Sequence, residues 1–238
     1  MGRLRRTQPK MKPLTIAIDG DGVLFDFVGA LKLAWSEWCL QTWSFTPFPD
    51  IWDWNLSKCM PAKFLEFAFK SPDLARRVSP YQGAHKLIRT LLVELPHTVA
   101  LVTTPLKVPA CERATQLEEN WRVARLQYWL QLCNDPATLD YRFDPLRMVS
   151  PTYPTVGRCP LRWLEDKTQF AADVFVDDKP ANVNAYKEAY PSATVVLAVH
   201  DYNQGATLTD GIIWIDMRKP NRFKTLEFII GEVSYRRR

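Results

Sequence analysis

Four short apolar runs, Leu14–Ile18, Thr98–Val102, Asp173–Val176 and Ala193–Val199, constrain the fold of this chain more than any other feature. Each is bounded by Pro, Gly or Asp, and each is apolar on both faces. That pattern suits buried strands of a parallel sheet. Weaker runs lie at Leu146–Val149 and Ile212–Ile215. Helical patterns separate them: Gly83–Glu94, Glu112–Leu132, and Pro180–Tyr190, which carries a proline in its first turn where no amide donor is needed. Strand and helix in alternation predict an α/β fold, a Rossmann-like core whose central parallel sheet is flanked by helices. The length of 238 residues fits one large domain, or a core with a small insertion.

One stretch breaks the alternation. Phe27 to Val78 is crowded with aromatics, among them Trp35, Trp38, Trp43, Phe45, Phe64 and Phe67, and has a Pro-rich turn at Thr46–Asp50. It reads as a small, mainly helical cap inserted after the first strand, over the carboxyl end of the sheet where α/β folds bind ligands. Most of its aromatics read as the cap's own core. The expected organisation is a basic tail at 1–12, a core at 13–26 and 79–235, the cap at 27–78 and a basic end at 236–238.

Composition excludes several classes. At 47% hydrophobic residues the chain is not disordered. No apolar run approaches the roughly 18 residues of a membrane helix, and residues 1–12 lack the apolar stretch of a signal peptide. The five cysteines are scattered, with no CxxC. This argues against a disulfide framework or zinc site and for a reducing, cytoplasmic setting. The net charge of +5 is concentrated in two tails: Arg3, Arg5, Arg6, Lys10 and Lys12 at the start, Arg236, Arg237 and Arg238 at the end. Without these, the remaining 223 residues stand at about −3. The tails read as solvated ends; nucleic-acid binding through them is the less favoured alternative. A homodimer is compatible with the sequence.

Two of the strands end in carboxylate pairs. Thr15-Ile-Ala-Ile-Asp19-Gly-Asp21-Gly delivers Asp19 and Asp21 onto a glycine-bearing loop, and Val174-Phe-Val ends in Asp177-Asp178. Ionised carboxylates buried at strand ends are costly unless they meet a cation, share a proton or face a basic partner. Alone, the first pair also fits a solvated Asp/Gly turn. Parallel strands put their carboxyl ends on one edge, so the two pairs can converge on an oxygen-rich site suited to Mg²⁺. Two weaker signals accompany them. Leu101-Val102-Thr103-Thr104-Pro105-Leu106-Lys107 ends a strand in hydroxyls, and Asp166-Lys167-Thr168 places a lysine before the second acidic strand. Either alone is an ordinary turn or a surface lysine. His85, His97 and His200 are far apart and read as surface or satisfied core histidines. No GxGxxG follows a strand, which excludes a dinucleotide fingerprint.

Taken in order, these signals resemble the four motifs of the haloacid dehalogenase-like superfamily: a strand ending in DxD, a strand ending in Ser/Thr, a lysine, and a strand ending in an acidic pair. The resemblance spans about residues 14–200. DGDGVLFDF, TTPLK, and DKT followed ten positions later by VDD, are similar to the 5′(3′)-deoxyribonucleotidases. The segment between Thr104 and Lys167 is longer here, with a Pro-rich piece at Pro151–Pro160, and the cap matches only loosely.

The resemblance implies an Mg²⁺-dependent phosphatase with Asp19 as nucleophile and Asp21 as acid/base. Asp19, Asp21, Asp177 and Asp178 would serve as metal site. Thr103 and Lys167 would hold phosphate, with Thr104 and Lys107 as further candidates. Arg122 or Arg125 could also reach it, although a solvated helix face is the expectation for both. A nucleoside monophosphate is the expected substrate, its base clamped by Phe27, then Trp52, Trp54 and Phe69. The alternatives are sugar phosphates, phosphorylated nucleic-acid ends, or a non-catalytic binding protein on the same fold.

Overall fold

A computed structural model describes residues 11–48, 56–70, 74, 77–105, 114–133 and 160–236. Six strands form one sheet: β1 (Thr15–Ile18), β2 (Thr98–Thr103), β3 (Leu161–Trp163), β4 (Val174–Asp177), β5 (Thr194–Val199) and β6 (Ile213–Asp216). All pairings are parallel and the spatial order is β3-β2-β1-β4-β5-β6. The order reverses between β1 and β4. Loops leaving these two neighbours diverge to opposite sides, which opens a crevice at their carboxyl ends.

Both faces of the sheet are buried, as the apolar runs require. Ile16, Ile18, Leu101, Val174 and Val176 face one core; Ala17, Ala100, Val102, Phe175 and Val195 face the other. The second is closed by α6 (Pro180–Ala189), whose Tyr186 ring stacks on Phe175 at 4.0 Å. Between β1 and β2 lie α1 (Phe27–Thr42), α2 (Leu56–Cys59) and α3 (Ala62–Lys70), then α4 (Ala84–Arg89), which runs on as a π-turn over Thr90–Glu94. Trp35 and Phe64 join α1 to α3 with ring centroids 4.8 Å apart, and both belong to the same apolar core as Ile16 and Leu101. The expected aromatic core of this stretch is therefore real and continuous with the sheet's own, although Trp43 and Phe45 lie on the surface. α5 (Ala114–Cys133) and α7 (Arg222–Arg236) complete the described helices.

All four main expected strands form with one or both ends moved by a residue, and the weaker run at Ile212–Ile215 forms β6 one residue later, at Ile213–Asp216. β3 and α7 were not anticipated. The expected strand at 146–149 and the Pro-rich piece at 151–159 lie outside the described residues, as do the tails at 1–10 and 237–238. No described helix is long and apolar enough to cross a membrane.

Candidate active site

β1 ends at Ile18, and the next amide, Asp19 N, donates to Val176 O of β4 at 2.8 Å. This bond carries the chain to the switch point before it leaves the sheet. The following loop is one tight turn: Leu24 N and Phe25 N both donate to Gly20 O at 2.9 Å. Gly22 has φ +82, and a Cβ there would lie 1.7 Å from Asp178 Oδ2. Only glycine fits both the left-handed backbone and the space. The loop is thus packed directly against the acidic pair that ends β4.

Asp19, Asp177 and Asp178 come together as expected. Each offers a carboxylate oxygen, all within 4.8 Å of one another, and all three residues are buried. Lys167, itself buried, sits among them: Nζ lies 2.8 Å from Asp19 Oδ1 and 2.7 Å from Asp177 Oδ2. Three carboxylates against one ammonium leave two negative charges in a dry pocket, which a divalent cation would neutralise. Burial, with Asp177 and Asp21 adding repulsion, lifts Asp19 to about 7 against the pull of Lys167. Burial first, then Asp19 and Asp177, pushes Asp178 well above the usual carboxylate range. Burial alone would depress Lys167, but Asp177 and Asp19 outweigh it and hold the ammonium charged.

The individual oxygens are not equivalent. Asp177 Oδ2 accepts from Lys167 and from Asn182 Nδ2 at 3.0 Å, and its Oδ1 accepts from Lys179 N at 2.8 Å. Both oxygens are spent on the lysine and on the start of α6. Asp19 Oδ1 accepts from Gly20 N at 2.7 Å as well as from Lys167. Asp178 Oδ2 accepts from the Tyr202 hydroxyl at 2.5 Å, while its Oδ1 is buried with no hydrogen-bond partner. An orphaned buried carboxylate oxygen beside an excess of negative charge is what a cation site presents when drawn without its ion. The residues therefore fit a divalent metal, and of the pair it is Asp178 that keeps an oxygen without a hydrogen-bond partner.

Asp21 stands apart from this cluster. Its Oδ1 is held by Arg125 of α5, with Nε at 2.9 Å and Nη2 at 2.7 Å. Arg125 is fully buried and lies 4.1 Å over the Trp121 ring, one helical turn before it. Arg122 is exposed. The expectation of a solvated face thus holds for Arg122 and fails for Arg125. The helix turns Trp121, Ala124, Arg125 and Trp129 inward together, a periodicity that could have identified it.

Thr103 is buried at the end of β2, two residues beyond the Ile18–Leu101 register, on the edge where Asp19 emerges; Thr104 is exposed. Phe27 is buried, its ring set edge-on to Trp121 at 5.6 Å. Phe69 is half-buried against the main core. Lys107, Trp52 and Trp54 lie outside the described residues.

His200, read from sequence as a bystander, borders the site. Its Nε2 lies 2.6 Å from Gly22 O, and its ring stacks on Tyr202 at 4.8 Å. Burial holds it below the ordinary histidine range. Asn203 Nδ2 donates to the Asp178 carbonyl at 2.6 Å and to Ala198 O at 2.9 Å. The segment after β5 therefore grips both acidic strand ends. His85 is exposed, and His97 is a buried core histidine whose Nδ1 accepts from Leu14 N.

No family model matches the chain, and no curated protein matches it significantly. Solved structures do match. A HAD family hydrolase from Deinococcus radiodurans R1, crystallised with bound phosphate and sodium, aligns over 95% of this chain and 98% of its own, at 14% identity and a TM-score of 0.45. A haloacid dehalogenase-like family hydrolase from Xanthomonas campestris aligns over 96% of this chain and 100% of its own, at 9% identity and a TM-score of 0.49. A putative beta-phosphoglucomutase from Thermotoga maritima aligns over 90% of this chain and 99% of its own, at 14% identity and a TM-score of 0.40. Scores and identities this low carry no activity across.

Proposed function

We propose that this chain is a divalent-metal-dependent phosphomonoester hydrolase of the haloacid dehalogenase-like type, working through an aspartyl-phosphate on Asp19. The observation that carries the reading is the buried set Asp19, Asp177 and Asp178, bridged by Lys167, at the carboxyl edge of a parallel sheet. The motif order read from the sequence supports it.

Asp19 and Asp178, with the Asp21 backbone carbonyl, would hold Mg²⁺. When bound, the metal neutralises the repulsion between an anionic nucleophile and an anionic phosphate and polarises the phosphoryl oxygens. Asp19 attacks through its carboxylate, which Gly20 N and Lys167 orient at Oδ1. It forms a bond to phosphorus as the bond to the leaving oxygen breaks. Lys167 remains protonated and shares its charge between Asp19 and the phosphate oxygens, with the Thr103 hydroxyl as a second donor. Asp21 gives a proton to the leaving alkoxide, then takes one from the water that attacks the aspartyl-phosphate. Arg125 occupies one oxygen of Asp21, which leaves the other for the proton transfer.

The substrate we favour is a nucleoside monophosphate, preferably a deoxyribonucleotide. The motif likeness to the 5′(3′)-deoxyribonucleotidases supports this choice; Phe27 itself is buried against Trp121, so a base would have to reach it by a movement of the neighbouring segment. Stacking of a base on an aromatic ring contributes about 1–3 kcal/mol in single-strand binders. Residues 27–78 would serve as the cap over the site. The test is a panel of deoxyribonucleoside monophosphates, sugar phosphates and 3′- or 5′-phosphorylated oligonucleotides, with Mg²⁺ and with Asp19→Asn as control. Mg²⁺-dependent release of phosphate from the nucleotides, abolished in Asp19→Asn, is expected. Normal turnover by a clean Asp19→Asn preparation refutes the nucleophile; preference for a sugar phosphate refutes the substrate class.

A further inference from the structure

We infer that Tyr202 sets the metal preference of this site, because its hydroxyl occupies Oδ2 of Asp178 and restricts that carboxylate to ligation through Oδ1 alone. The inference rests on the proposed cation site and goes beyond it, to the choice between a small and a large divalent ion.

Asp177 has both oxygens engaged, by Lys167, Asn182 and Lys179 N. Asp19 has Oδ1 engaged by Gly20 N and Lys167. Asp178 has Oδ2 engaged by Tyr202 and Oδ1 buried without a partner. Each member of the cluster thus offers one oxygen or none. Mg²⁺ accepts this readily: it takes about six oxygens in a near-octahedral shell and keeps several waters. Ca²⁺ takes about 6–8 oxygens at longer range and commonly recruits both oxygens of a carboxylate. To gain a second oxygen from Asp178, it would have to displace the tyrosine hydroxyl.

Tyr202 is built in rather than incidental. Its ring stacks on His200, which is itself bonded to the Gly22 carbonyl, and the neighbouring Asn203 fixes the Asp178 carbonyl. On the other side, Gly22 approaches Asp178 Oδ2 so closely that a Cβ would overlap it. The carboxylate is therefore confined from two directions, and rotating it only exchanges which oxygen meets the hydroxyl. Tyr202 touches a proposed ligand rather than the substrate and acts as a positioning residue.

The experiment is isothermal titration of the full-length protein with Mg²⁺ and with Ca²⁺, wild type against Tyr202→Phe. Removing a hydrogen bond to a ligating group typically costs about 10–100-fold in metal affinity. We expect Mg²⁺ binding to weaken by about tenfold or more, and Ca²⁺ binding to hold or tighten as both oxygens become free. The preference for Mg²⁺ over Ca²⁺ then collapses. Equal loss for both ions, or no change for either, overturns the inference and leaves the cation site standing. A wild-type protein that binds neither ion overturns the site and the inference together. A crystal of the wild type soaked in Ca²⁺ gives a second measure that needs no variant. Asp178 bound through Oδ1 with the Tyr202 contact intact is expected; bidentate Asp178 overturns it.

Discussion

Replacing Arg125 with methionine tests whether Asp21 is held in place by a buried cation. The guanidinium is fully buried, while the Asp21 side chain keeps 21% of its exposure. Breaking a fully buried ion pair by removing one partner costs about 3–5 kcal/mol, and a fully exposed pair about 0–1. Asp21 lies between these limits, nearer the buried one. The guanidinium also sits 4.1 Å over Trp121 and 5.3 Å from the Phe25 ring centroid, which adds about 0.5–2 kcal/mol. Methionine recovers part of the packing. The net expectation is a loss of about 2–4 kcal/mol, read as a lower urea midpoint at unchanged slope. Arg125→Lys keeps the charge but loses the two-pronged contact, and should fall between wild type and Arg125→Met. The decisive arm is the double variant with Asp21→Ala. Two groups that act on each other lose less together than the sum of their separate losses. Strict additivity, or an Arg125→Met protein within about 0.5 kcal/mol of wild type, would refute the reasoning.

Two further outcomes follow from the same geometry. Gly22→Ala should lose metal affinity and stability together, because the new Cβ strains a backbone at φ +82 and displaces Asp178; a left-handed non-glycine residue alone costs about 1–2 kcal/mol, and an unchanged melting temperature and Mg²⁺ titration would contradict this. Without metal, Asp19 at about 7 and the raised Asp178 bind protons in the folded state that the unfolded chain releases near its ordinary carboxylate range. Their contribution is complete at acid pH and is lost as pH climbs toward and through about 7, on the order of a few kcal/mol. His200, held low by burial, pulls the opposite way, but it does so with or without metal. The increment in melting temperature from Mg²⁺ over EDTA should therefore be larger at pH 8 than at pH 5.5; an equal or smaller increment would contradict the assignment.

The parts legible in the sequence were those where composition and position carry one message. β1 and β4 are apolar on both faces and end in paired carboxylates, so strand, edge and charge could be read together from Asp19 and Asp177. Parallel pairing then forced convergence of the two ends. β3 escaped notice because it has only three residues, Leu161–Trp163, with an arginine at its centre. A single pairing with β2 holds it, a tertiary fact. α7 buries Phe223, Leu226 and Ile230 at helical spacing, but charged residues and a glycine among them dilute the stripe. Arg125 was misjudged for a different reason. An arginine on a helix is ordinarily solvated, and only the inward set of Trp121, Ala124 and Trp129 marks this one as buried. Tyr202 and Asn203 carried no motif at all. Their role comes from β5 lying beside β4 in the sheet order, which places the residues after one strand against the acids that end the other.

The most direct test of the central claim is chemical trapping of the nucleophile. The protein is mixed with p-nitrophenyl phosphate and Mg²⁺, quenched in acid and reduced with borohydride, which converts an aspartyl-phosphate to homoserine; the peptides are then sequenced by mass spectrometry. The account predicts homoserine at position 19 and an unmodified aspartate at position 21. Turnover with Asp19 intact, or the modification on another residue, would contradict it.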